Sequence, residues 1–240
     1  NMWDDVEGGG SVMTTTTGNT ENLESIRVAE RLLRELNSMW PGSLKVRVLE
    51  NYANMATKTK PNIDRALQSF IDMLEQEKDY LPALLGMSTA FMLDNTQNKA
   101  RNTLKRIAKM PYNQDMADEF ERSYLILADL YIARGKYDLA QDLCKRCLSY
   151  NKSCGKAWEA MGLIMEKEQS YKDAADCYEK SWKLEGMASA TVGFKLAFNY
   201  LKAKRYVEAI DVCQKVLAQF PDYPKIQKEI LEKAQSSLRP

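Results

Sequence analysis

The sequence predicts an all-α superhelical array (α-solenoid) of antiparallel helix pairs with a C-terminal capping helix, and three observations carry that expectation. A small residue on one helix precedes an alanine on the next at Ala53/Ala66, Gly86/Ala100, Ala128/Ala140, Gly162/Ala174 and Ala197/Ala209, at separations of 13, 14, 12, 12 and 12. Starting at Ala29, the second-helix alanines recur at steps of 37, 34, 40, 34 and 35 residues, the period of a stacked helix-turn-helix repeat. Four and seven residues after each alanine stand Leu33/Leu36, Phe70/Met73, Leu104/Ile107, Cys144/Cys147, Tyr178/Ser181 and Cys213/Val216, a mostly apolar i, i+4, i+7 stripe suited to one buried helix face.

The elements follow in order. Helices are expected at 22–39, 43–57, 62–77, 80–94, 97–110, 115–134, 137–150, 154–169, 171–184, 188–203, 206–219 and 223–237. Pro41, Pro111 and Pro221 end three of them, because proline lacks the amide hydrogen and clashes with the preceding turn. The short polar breaks "RGK", "EQS" and "AKR" separate the helices of the last three pairs. Residues 1–20, with "GGG" and "TTTTGNT", are expected to be a flexible Gly/Thr-rich segment. The array then covers 21–221, and a charged terminal helix within 222–240 caps it. The chain starts with Asn and its first helix has no partner, so a piece of a longer protein is expected.

Two helices joined by a tight turn approach most closely at one point, and a larger side chain there would overpack the contact by ~1–3 kcal/mol. This assigns Ala128, Ala140, Gly162, Ala174, Ala197 and Ala209 to repeat contacts, with Trp158 and Tyr178 filling the flanking space.

At these positions the sequence resembles the tetratricopeptide repeat. The clearest copy is Trp158, Met161-Gly162, Met165, Ala174, Tyr178 and Ser181, preceded by Tyr124, Leu127-Ala128, Tyr131 and Ala140, and followed by Leu196-Ala197, Tyr200, Ala209 and Pro221. The earlier units depart from the pattern, with Ala56 and Thr89 in place of an aromatic residue. The stretches "DEFERSYLILADLYIARGKYDLAQDLCKRCLSYNKSCGKAWEAMGLIMEKEQSYKDAADCYEKSWKLE" and "NYLKAKRYVEAIDVCQKVLAQFPDYPKIQKEILEKAQSSLRP" are in turn similar to the C-terminal end of the large repeat subunits of intraflagellar transport complex A. That resemblance implies a non-enzymatic scaffold in retrograde ciliary transport, located in the cytoplasm, the cilium and the ciliary base. Its implied partners are other complex A subunits, and it brings no ligand residues with it.

Composition narrows the chemistry. The net charge is +1 with no long basic run, which argues against nucleic acid as a partner. The apolar stretch around Leu81–Leu93 is shorter than the roughly 20 residues that span a bilayer, so no direct membrane insertion is expected. There is no histidine, which removes the commonest general base and metal ligand. Cys144, Cys147, Cys154, Cys177 and Cys213 read as reduced thiols, and Cys144 and Cys147 fall on the core stripe without a fourth ligand at zinc spacing. No catalytic residue, metal, cofactor or small-molecule substrate is expected, and the carboxylates Asp173/Asp176 and Glu229/Glu232 read as solvated faces.

The resemblance to the tetratricopeptide repeat implies that the first helix of each pair lines a concave groove. The residues flanking the small contacts then face it: Leu125, Asp129 and Ile132; Glu159, Leu163 and Glu166; Phe194, Phe198 and Leu201. Phe194, Phe198, Leu201, Leu125 and Leu163 would form an apolar strip for a helix or an extended segment, unless the next repeat or the terminal helix buries them. The alternative partner is a peptide held by a repeat-type adaptor or co-chaperone. Its carboxylate clamp needs a Lys and an Asn four residues apart, and Glu50/Asn54, Leu125/Asp129 and Glu159/Leu163 stand there instead.

Overall fold

The structure is a computed structural model that describes residues 15–238. It is all-α, with no strand among the described residues. The helices are α1 (Thr15–Met39), α2 (Leu44–Ala56), α3 (Lys60–Gln76), α4 (Leu81–Leu93), α5 (Gln97–Lys109), α6 (Ala117–Ile132), α7 (Tyr137–Tyr150), α8 (Gly155–Lys167), α9 (Tyr171–Leu184), α10 (Ala190–Lys202), α11 (Tyr206–Gln219) and α12 (Glu232–Leu238). A 3-10 turn at Gln114–Met116 leads into α6, and a π-turn at Gln227–Leu231 leads into α12.

Two expected elements differ from this order. Of the segment expected to be flexible, 1–20, residues 1–14 lie outside the described residues, whereas residues 15–20 belong to α1. That stretch carries no proline, and its single glycine, Gly18, costs a helix only about 1 kcal/mol. The capping helix expected over 223–237 begins later, because Lys225 takes a left-handed φ of 66° that a right-handed helix cannot include.

Contacts divide the chain into a unit ending at Ile126 and a unit running from Leu127. In the first, α2 and α3 pair, α4 and α5 pair, and α2 also touches α4. Its core gathers Val48, Met55, Ile63, Ala66, Phe70, Met73, Tyr80, Ala83 and Ala90. Phe70 is fully buried with its ring edge-on to Tyr52 at 6.3 Å. Gly86 makes room for it: a methyl group there would stand 2.3 Å from Phe70 Cζ. The small residue of α4 thus receives an aromatic ring from the second helix of the preceding pair.

In the second unit α8 packs on α9, α9 on α10 and α10 on α11. Ala128, Ala140, Gly162, Ala174, Ala197 and Ala209 are all buried. A methyl group on Gly162 would lie 2.9 Å from Tyr178 Cδ1, so the ring of the partner helix fills the space this glycine leaves. Trp158 is not the core residue its position suggested. It is half-buried, its indole donates to the Lys152 carbonyl at 3.2 Å, and Lys180 Nζ sits 4.1 Å from its ring centroid. This indole is anchored at the surface by a cation–π contact.

Four of the turns inside the pairs share one device. Asn95, Gly135, Gln169 and Lys204 all have positive φ, between 58° and 68°, and each stands five residues before its unit's alanine. The following amide donates back to the last turn of the helix: Thr96 to Phe91, Lys136 to Tyr131, Ser170 to Met165 and Arg205 to Tyr200, at 2.8–2.9 Å. This is a Schellman closure, which reverses the chain in the fewest residues and favours glycine at the left-handed position. Only Gly135 supplies one.

Two stability changes follow. Gly86→Ala is expected to cost about 1–3 kcal/mol in chemical denaturation, since the added methyl meets Phe70. Lys204→Gly is expected to stabilise by up to about 1 kcal/mol, because glycine relieves the left-handed strain at some cost in unfolded-chain entropy.

Candidate protein-binding face

The expected groove residues separate on inspection. Leu125, in the first unit, is half-buried on α6. In the second unit Asp129 is exposed, Glu159 and Leu163 are half-buried on α8, and Glu166 is 8% exposed. Phe194 is not a groove residue. It is 1% exposed and belongs to a core with Trp182, Leu196, Tyr200, Val216, Ile226, Ile230 and Leu231, with its ring 5.9 Å from that of Tyr223. Phe198 and Leu201 pack against the same core. The chain beyond Pro221 returns to cover α10, and the π-turn touches that helix directly. The apolar stripe of α10 is therefore a packing seam.

The face that remains is polar, and it is built by residues one or two turns apart on α8 and α10. Glu159 and Glu166 stand seven residues apart on α8, while Lys195 and Asn199 stand four apart on α10, so both sets share a face. Lys195 Nζ donates to Glu159 Oε1 at 2.9 Å. Asn199 Nδ2 donates to Glu166 Oε2 at 2.7 Å and to the Lys195 carbonyl at 2.8 Å. Tyr178, from α9, donates its hydroxyl to the same Glu166 oxygen at 3.3 Å. The Oδ1 of Asn199 is buried without a hydrogen-bond partner.

Electrostatics follow from this layout. Burial holds the Asp129 carboxyl above the ordinary carboxylate range and the nearby Glu159 adds to the rise, while Lys156 and Lys195 oppose it. Asp129 is exposed as a whole residue, but neighbouring atoms crowd its carboxyl. Burial raises the Tyr178 hydroxyl, helped by Glu166 and Glu159, and so keeps it protonated as a donor. Burial pushes the Cys144 and Cys213 thiols up to about 12. Both are neutral, unreactive thiols at physiological pH, and none of the five cysteines is in a disulfide.

These groups do not converge on a point where a substrate atom could react. Glu159 is taken by Lys195, and Glu166 is taken by Asn199 and Tyr178. The pairs form rungs between the first helices of successive helix pairs, α8 and α10, and take up neither Asp129 nor Leu163. Sequence reasoning placed Glu159, Glu166 and Asp129 on this face and missed Lys195 and Asn199. Asn199 had a signal: two residues after the small contact the other units carry Met55, Ser88, Leu130 and Ile164, and only Ser88 is also polar.

The paired helices, the recurrent small contacts and the Schellman turns define a helical-repeat protein of the tetratricopeptide type. Residues 28–235 match the family described as "Tetratricopeptide repeat protein 21 C-terminal ARM domain", and the chain belongs to that family. It is 53% identical over 241 residues to human tetratricopeptide repeat protein 21B, covering 97% of this chain and 18% of that protein. It is 54% identical to mouse tetratricopeptide repeat protein 21A over 219 residues, 90% of this chain and 16% of that protein. A Caenorhabditis elegans homologue is 36% identical over 228 residues, 93% of this chain and 17% of that protein. The chain thus spans less than a fifth of these relatives.

Solved structures share the fold at low identity. The Cut9-Hcn1 hetero-tetramer matches with TM-score 0.63 and 14% identity, covering 88% of this chain and 43% of that one. MamA matches at 0.59 and 19%, covering 72% and 96%. YrrB, described as a TPR protein with an unusual peptide-binding site, matches at 0.55 and 14%, covering 85% and 96%.

Phe194→Ala is expected to cost about 3–5 kcal/mol in thermal or chemical unfolding, as for a fully buried aromatic residue. Asp129→Asn is expected to raise the melting temperature at neutral pH. A carboxyl whose folded-state pKa is raised binds its proton more tightly when folded. Stability therefore falls as pH rises through the window above the ordinary carboxylate value, and the penalty is absent below it. The gain from Asp129→Asn should vanish in acid, which melting curves across pH will read directly.

Proposed function

We propose that the chain is a protein-binding scaffold segment of intraflagellar transport complex A, acting in retrograde ciliary transport at the ciliary base and within the cilium. The observation that carries this reading is the family match across residues 28–235, joined to a repeat fold whose polar side chains are spent on stacking one helix pair on the next. Such an array works by presenting surface. Its rungs fix the spacing of α8 and α10, and the side chains outside them, Asp129 and Leu163 among them, are available to a partner subunit. The resemblance of the C-terminal half to complex A subunits supports the process, and the partners are then other subunits of that assembly.

A second reading, an adaptor or co-chaperone that grips a peptide segment in a concave groove, has one observation in its favour. Asp129, an exposed residue on the first helix of one pair, has a half-buried counterpart in Leu163 on the first helix of the next, a pairing that suits a peptide with a cation beside an apolar residue.

Cross-linking mass spectrometry on the protein purified from ciliated cells separates the two. Complex A subunits linked to Lys156 or Lys167 of α8 are the expected result. Links to a single linear segment of an unrelated protein would favour the adaptor, and failure of any complex A subunit to co-purify would remove the proposed role.

A further inference from the structure

The second helices of the pairs carry charges of both signs, and most neutralise themselves. Lys60 pairs with Asp64 on α3, Lys183 with Glu179 on α9 and Lys215 with Asp211 on α11, each four residues apart. Helix α5 departs from this rule. "QNKARNTLKRIAK" has five basic residues and no acidic one, in a chain whose net charge is only +1.

Its apolar side, Ala100, Leu104 and Ile107, is buried in the first unit. Arg101, Lys105 and Lys109 follow one another at four-residue intervals along the outer side, spanning roughly 12 Å at 1.5 Å per residue. Lys105 and Lys109 are exposed, and neither forms an ion pair among the described residues. Arg106 is compensated within the unit by Asp79 at 2.6 Å and by the Lys78 carbonyl at 2.6 Å. Arg101 differs again. It is half-buried with its Nε turned inward and without an acceptor, and no ion pair among the described residues offsets its charge, which leaves the rest of the guanidinium to a carboxylate from outside.

We infer that the outer face of α5 is a docking surface for an acidic helix of a partner protein, with carboxylates spaced four residues apart opposite Arg101, Lys105 and Lys109. Charge complementarity selects this occupant, and the Arg101 guanidinium, which can bind a carboxylate through two parallel bonds, sets its register. A lipid surface fits less well, because none of the chain's exposed large apolar residues lies on α5 to enter a bilayer. A nucleic acid fits less well too, since no aromatic residue interleaves with these cations. The surface lies in the first unit, and its test does not depend on the complex A reading.

The test uses a fluorescent synthetic helical peptide with Glu at every fourth position, and a second peptide of the same composition with the Glu residues clustered at one end. Fluorescence anisotropy should show the spaced peptide binding the chain, with Lys105→Glu/Lys109→Glu and Arg101→Gln each weakening it by about tenfold or more. Lys145→Glu/Lys215→Glu, on the other second helices, should leave it unchanged. Circular dichroism melts confirm that the variants fold. Equal binding of both peptides, or equal binding by the α5 variants, overturns the inference. So does binding of phosphatidylserine vesicles or a duplex DNA oligonucleotide that these variants abolish while the spaced peptide fails to bind.

Discussion

Tyr178 joins two tasks in one side chain, and much of the second unit depends on it. Its ring occupies the space that Gly162 leaves open between α8 and α9, which fixes how the two helices of that pair meet. Its hydroxyl reaches Glu166, and Glu166 receives Asn199 from the following pair. Closing one helix pair and stacking it on the next are therefore coupled through a fully buried phenol. A ring without the hydroxyl would still pack but would leave Glu166 with one donor fewer. A side chain larger than hydrogen at residue 162 would push the ring from both of its partners.

This coupling explains how the second unit carries charge inside. A buried carboxylate is costly unless it is hydrogen-bonded, and Glu166 has two donors for one oxygen. Glu159 one register along is held by Lys195. The polar residues that could have formed an acid–base site are consumed in holding helices at fixed spacing. What is left for recognition is the outer residue of each rung and, in the first unit, the uncompensated cations of α5.

The repeat was legible because its signal is steric. Gly86 and Gly162 face aromatic rings at distances that forbid a methyl group, so the small residues recur at the period of the fold whatever surrounds them. The prolines after α1, α5 and α11 were equally plain. The Schellman turns were not, since Gln169 and Lys204 occupy left-handed positions where glycine would have announced them. Phe194 was misplaced for a different reason. An i, i+4, i+7 apolar stripe has the same appearance whether it lines a groove or is covered, and only the return of the chain after Pro221 decides between these. Trp158 shows the same ambiguity in reverse, as a large aromatic at a repeat position that sits at the surface. Sequence patterns of this kind locate the faces of helices well and say little about what covers them.

The most direct test of the coupling is a double-mutant cycle between Gly162→Ala and Tyr178→Leu, measured by chemical denaturation. A side chain at 178 without the ring should relieve much of the cost of the added methyl, so the account predicts non-additivity of about 0.5–3 kcal/mol. Additive losses would show that Gly162 and Tyr178 do not share one space, and would contradict the account at its centre.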